Sequence, residues 1–143
     1  MHTILTQTDT TVGFLSQNAE KLYEIKSRET HKPFIKVYSN FQIFVACGNR
    51  VPNNFKSTIR RSKKTTFIVK NKAFRVAKSM LDSNIMKNST WHFSTSANEA
   101  GKNFDREFCE HKADIIIENK ERLTEQSSSS LYKLNNIKRK KIR

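Results

Sequence analysis

The chain has 143 residues, 36% of them hydrophobic and 28% charged, which is room for one domain with a core and too apolar for a disordered protein. Its 27 basic and 13 acidic residues give a net charge of +14. No apolar run is long enough to span a bilayer and no basic-then-apolar leader opens the chain, so a soluble, cytoplasmic protein with no membrane partner is expected.

Cys47 and Cys109 lie far apart without a Cys-x-x-Cys partner, which argues against a disulfide framework or a structural zinc site. Charge is spread unevenly. From Thr30 to Leu81 there is no acidic residue, and the stretch 133–143 contributes Lys133, Lys138, Arg139, Lys140, Lys141 and Arg143. Such segments attract polyanions, a nucleotide triphosphate or an RNA backbone. A solvated basic surface is the alternative, because charge alone carries no specificity.

In chain order, His2 to Gln7 reads as a first strand and Thr8 to Gly13 as a hydroxyl-rich turn before a helix. Ser16 is placed to cap a helix over Gln17 to Lys26, with Ala19, Leu22, Tyr23 and Ile25 as its apolar stripe. Lys26 and Arg28 fall at the C-terminal end of that helix. Cations are favoured there and can project into a loop to meet phosphate or carboxylate oxygens, although helix capping alone would also place them so. Pro33 holds Lys32 extended ahead of a strand over Phe34 to Tyr38, expected to be buried on both faces.

Ser39-Asn40 can cap a short helix or turn through Phe41, Ile43 and Phe44, and Cys47 to Asn54 reads as a loop. Lys56 to Lys64 is basic with little apolar periodicity. Thr65 to Val69 and Ala73 to Val76 form a hairpin about Lys70-Asn71-Lys72, and Lys78 to Lys87 fits a short amphipathic helix. Trp91 to Phe93 is a strand that opens into the polar loop Ser94-Thr95-Ser96-Ala97-Asn98-Glu99-Ala100-Gly101, either an ordinary turn or a ligand wall. A helix with Phe104 and Phe108 on one face follows, then a strand over Ala113 to Ile117, a hydroxyl-lined loop over Ser127 to Ser130, and strands over Leu131 to Leu134 and Ile137 to Ile142.

Three of these segments carry a resemblance. Thr8-Asp9-Thr10 with Gly13, Lys26-x-Arg28 with Lys32-Pro33, and Thr95-Ser96-Ala97-Asn98 with Gly101 resemble, in order and spacing, the signatures of the YrdC-like family of threonylcarbamoyl-AMP synthases. The chain departs from that pattern at Gln7, where the family has Pro, and at Val12, where it usually has Tyr. The Trp and prolines that flank the family's central hairpin are replaced by Arg61 to Lys64 and Ala77.

The resemblance implies a single α/β domain over 1–143, a twisted mixed sheet with flanking helices around a basic cleft. It implies formation of threonylcarbamoyl-AMP and pyrophosphate from threonine, bicarbonate and ATP for tRNA modification, with Mg2+ arriving on ATP rather than in a protein cage. Lys26, Arg28, Ser96 and Asn98 would be the catalytic set. Thr8, Thr10, Lys32 and Thr95 would bind substrate, and Arg75, Ser130 and Arg139 would contact phosphate. His31, His92 and His111 are read as surface or packing residues. tRNA or another double-stranded RNA and tRNA-modification proteins are the expected partners. The alternative is a non-catalytic RNA-binding module of the same fold, favoured by the lost motif residues; a third is an unrelated basic ribosome-associated protein, which makes the ordered motifs a coincidence.

Overall fold

The computed structural model describes residues 2–27, 33–77, 90–118, 120 and 122–143. The helix expected over Lys78 to Lys87 lies outside them, as do Arg28, His31 and Lys32. The chain forms two units, Met1–Phe34 with His92–Ser127 and Ile35–Trp91 with Ser128–Arg143.

In the first unit, strands β1 (Ile4–Gln7) and β2 (Val12–Ser16) make an antiparallel pair. The strand β6 (Trp91–Ser96) lies antiparallel to β2, and β7 (Ile115–Ile117) lies parallel to β1. Val12, Phe14 and Leu15 are buried along with Ser16, so β2 is covered on both faces. A strand in that position has no polar face to alternate with its apolar one.

Two helices cover this sheet, α1 (Ala19–Lys26) and α4 (Arg106–Lys112). The cap of α1 is Asn18, whose side chain accepts the Glu20 amide, rather than Ser16, whose buried hydroxyl instead accepts the Asn18 amide at 3.0 Å. Asp105 caps α4 by accepting the Phe108 amide. Leu22 of α1 and Cys109 of α4 are both fully buried against Leu5, Val12 and Phe14, and that apolar contact is what seats the helices.

The second unit is also mixed. Its strands are β3 (Ile35–Tyr38), β4 (Thr65–Val69), β5 (Lys72–Val76), β8 (Ser130–Leu134) and β9 (Arg139–Lys141). β5 is parallel to β3 and antiparallel to β4, while β4 is parallel to β8 and β8 antiparallel to β9. The β4–β5 hairpin turns on Lys70 and Asn71, both at positive φ (50° and 64°), the geometry of a two-residue turn that matches strand twist. Of β3, Val37 and Tyr38 are buried, whereas Ile35 and Lys36 are half-buried.

Helices α2 (Phe41–Ala46) and α3 (Lys56–Arg61) complete this unit. Phe44 of α2 stacks on Phe74 at 4.4 Å between ring centres and meets Tyr38 edge-on at 5.1 Å. Ile59, the buried residue of α3, joins the same cluster. No helix among the described residues is long and apolar enough to cross a membrane.

Candidate active site

The first unit gathers the signature residues. The register Gly13↔Ser96 and Phe14↔Thr95 lays the start of the signature loop against β2, and the Ala97 amide extends the ladder by donating to the Val12 carbonyl at 2.9 Å. The approach is tight at Gly13. A Cβ there would stand 3.0 Å from the Thr95 carbonyl oxygen and 3.1 Å from the Thr8 methyl, so only glycine lets turn and loop come this close.

The Thr8–Thr11 turn is held by its own hydroxyls. Thr8 Oγ1 donates to the Thr11 carbonyl at 2.6 Å, accepts the Thr10 amide at 3.2 Å and lies 3.2 Å from Thr10 Oγ1. Thr10 is buried. Residues 124–126 brace the outer side: the Thr124 amide donates to Gln7 Oε1 and the Gln126 amide to Thr11 Oγ1, both at 2.9 Å. Gln7 Nε2 is buried without a hydrogen-bond partner, alone among the described side-chain nitrogens and oxygens. An orphaned donor of this kind costs free energy that a proline there would not.

Lys26 makes the link from helix to loop. Its aliphatic stem is buried, with 7% of the residue exposed, and its ammonium donates to the Ser96 carbonyl at 3.0 Å, the Asn98 carbonyl at 2.9 Å and Asn98 Oδ1 at 2.6 Å. These oxygens match the three donors of an ammonium. The same Oδ1 accepts Ser96 Oγ at 2.7 Å, while Asn98 Nδ2 donates to the Lys102 carbonyl at 2.6 Å. Position follows from the helix: Lys26 is in the last turn of α1, where a cation complements the exposed carbonyls, and Ser27 closes the helix in the left-handed region (φ 47°).

Thus Lys26, Ser96, Asn98 and Thr95 come together beside the turn that carries Thr8 and Thr10. His92 of β6 is buried, and burial lowers its pKa below the ordinary 6.5, which keeps the ring neutral near pH 7. His111 is exposed. Among the described residues, no group of three or more His, Cys, Asp and Glu side chains is placed to hold a metal ion.

Of the other expected residues, Arg75, Ser130 and Arg139 lie in the second unit. Arg75 is buried on β5, with Nη1 3.5 Å from Thr66 Oγ1. Thr66 Oγ1 shares a 2.7 Å hydrogen bond with Ser129 Oγ, and Arg143 donates to the Ser129 carbonyl at 3.0 Å and to its hydroxyl at 3.3 Å. The serine in this cluster is Ser129. Ser130, one residue on, begins β8, and Arg139 is exposed with its guanidinium 5.2 Å over the Tyr132 ring. Ser129 and Arg143 were hidden in sequence because a four-serine run does not say which member turns inward, nor a terminal basic run which member reaches back to it.

A mixed α/β protein whose helix-terminal lysine clasps a Ser-Ala-Asn loop beside a threonine turn has the architecture and motif order of the YrdC-like class. The chain belongs to the Sua5/YciO/YrdC family, whose profile, described as "Telomere recombination", matches residues 3–143. No curated protein sequence matches it significantly. Among solved structures it is similar to P. abyssi Sua5 complexed with L-threonine, with a TM-score of 0.78 at 16% identity over 99% of this chain and 50% of that one. It is similar too to E. coli YciO (TM-score 0.73, 16% identity, 99% of this chain and 82% of that one). A third is full-length HypF in the phosphate- and nucleotide-bound form (0.71, 14%, 99% and 26%). These likenesses establish the fold, and the chain spans about half the length of Sua5.

Proposed function

We propose that the chain forms L-threonylcarbamoyl-AMP and pyrophosphate from threonine, bicarbonate and ATP, in support of tRNA threonylcarbamoyladenosine synthesis. The observation that carries this reading is the clasp of Lys26 on Ser96 and Asn98 beside the Thr8–Gly13 turn. Family membership supports it, as do a structural relative holding L-threonine and another holding phosphate and nucleotide.

In this reaction the threonine amine and bicarbonate give a carbamate and water. A carbamate oxygen then attacks the α-phosphorus of Mg2+-bound ATP, and pyrophosphate leaves. Negative oxygens must be brought together, so positioned donors and cations do most of the catalytic work.

Lys26 acts here as a positioning residue, since its ammonium donates to three oxygens of the loop. Ser96 and Asn98 meet the nucleotide: Asn98 has a second amide hydrogen beyond the one given to Lys102, and the exposed Ser96 hydroxyl can rotate. The Thr8–Thr11 turn and Thr95 seat threonine, with Arg28 and Lys32 neutralising carboxylate or phosphate. The phosphate contacts expected of Arg75, Ser130 and Arg139 belong to the same proposal.

The test is pyrophosphate release from ATP in the presence of threonine and bicarbonate. Release that needs both co-substrates and falls at least tenfold in Asn98→Ala supports the reading; release that ignores either co-substrate, or none from folded protein, refutes it. The latter outcome would favour the non-catalytic RNA-binding module, which the unpartnered Nε2 of Gln7, a departure from the family motif, already favours.

A further inference from the structure

All the acidic residues among those described lie in the first unit. The described residues of the second unit include sixteen lysines and arginines and no aspartate or glutamate. Among those described residues the basic charge has no acidic side chain to offset it, and at one place three cations, an apolar surface and amides meet.

That place is a concavity of about 420 Å³ rimmed by Arg50, Lys70 and Lys133. Val51, Pro52, Val69 and Leu134 supply its apolar lining. The strand pairing builds it: β4 and β8 run parallel with Val69 opposite Leu134, which carries the Lys70-Asn71 turn alongside Lys133 and the Asn135-Asn136 turn. Asn135 Oδ1 accepts the Ile137 amide at 2.8 Å and the Lys138 amide at 2.7 Å, so the turn is fixed and the side chain presents its NH2. Asn54 Nδ2 holds the Asn136 carbonyl at 3.4 Å from the other side.

Three separated cations call for a ligand with several negative charges. The apolar lining calls for a flat body, and the amides for hydrogen-bonding edges. A nucleotide of a single strand has all three, and the volume is within the range of small-ligand sites. A stacked duplex hides its base faces, and an acyl chain has no use for the amides. The ribose 2′-hydroxyl, both donor and acceptor, gives the asparagine-rich rim a further partner in RNA.

We propose that this concavity is a binding site for single-stranded RNA, one base resting on Val51, Pro52 and Leu134 and the flanking phosphates on Arg50, Lys70 and Lys133. The site is independent of the adenylate reading.

The test is fluorescence anisotropy of the full chain with a short labelled single-stranded RNA across a salt series. Lys70→Gln/Lys133→Gln is compared with Lys21→Gln/Lys112→Gln, a control on the first unit. The first pair should weaken binding at least tenfold and lower the slope of log affinity against log salt by about 1.4, roughly 0.7 per lost phosphate contact. The control should stay within about twofold, and 4-thiouridine crosslinks should map to 50–52 or 133–136. Equal losses in both pairs, an unchanged slope, or crosslinks only elsewhere would overturn the site. Equal affinity for matched DNA would overturn the choice of RNA, and displacement of the RNA by phosphatidylserine vesicles would reassign the surface to membranes. Pyrophosphate release measured on the same samples separates the two proposals: its absence with RNA binding intact rejects only the enzyme.

Discussion

Replacing Lys26 by Met keeps most of the buried stem and removes the ammonium, so no large cavity forms and the effect isolates the clasp. Three oxygens, two of them backbone carbonyls, lose a charged donor at 2.6–3.0 Å. Hydrogen bonds to charged groups contribute about 1.5–3 kcal/mol each, but the loop relaxes and water reaches part of it, so a net loss of about 3 kcal/mol is expected. For a chain of this size that lowers the melting temperature by about 10 °C. Urea unfolding of the parent, Lys26→Met, Asn98→Ala and the double variant gives the coupling directly. Of the three oxygens that Lys26 meets, Asn98→Ala removes Oδ1 and leaves both carbonyls, and its losses at Lys102 and Ser96 cancel in the cycle, which should show a coupling of about 1–2 kcal/mol. Additive single effects, or a Lys26→Met variant within about 0.5 kcal/mol of the parent, would refute the clasp.

Other consequences follow from the same unit. Gly13→Ala should push β2 and β6 apart, cost about 1–3 kcal/mol and speed hydrogen exchange of the Ala97 amide; unchanged exchange would contradict the close approach seen at Thr95. Because burial lowers the His92 pKa, the unfolded chain takes up this proton first, and stability should decline as pH falls from 6.5 until the folded His92 itself titrates. His92→Gln should flatten that part of the stability profile, and an NMR titration midpoint above 6.5 would show the sign to be wrong. The Cys109 thiol is fully buried, which pushes its pKa up to about 11, whereas Cys47 is exposed. Iodoacetamide at pH 8 should label Cys47 and spare Cys109 until urea unfolds the chain; equal labelling in the native state would contradict the packing of α4.

What could be read from the sequence was set by whether a segment has one buried face or two. The β4–β5 hairpin was legible because β-prone runs flank a polar turn holding Asn71, a residue that tolerates positive φ. The strand β2 was not, since Val12 to Ser16 is buried throughout and shows no alternation, and Ser16 mimics a helix cap while it is the last residue of the strand. Helix α3 escaped notice for the opposite reason: with Ile59 its one buried residue, it has no stripe to detect. At the site, motif order singled out Lys26 and Asn98, and the structure brings them into hydrogen-bond contact. That Lys26 serves the loop is a matter of distance, which spacing in sequence does not encode.

The most direct test of the account is an amide chemical-shift titration of the protein with L-threonine in the presence of a non-hydrolysable ATP analogue. The expected result is a saturable set of shifts concentrated on Thr8 to Gly13 and Ser96 to Asn98, weakened in Lys26→Met. Shifts that saturate elsewhere, or none in either segment at high threonine, would contradict the claim that this turn and this loop serve one ligand.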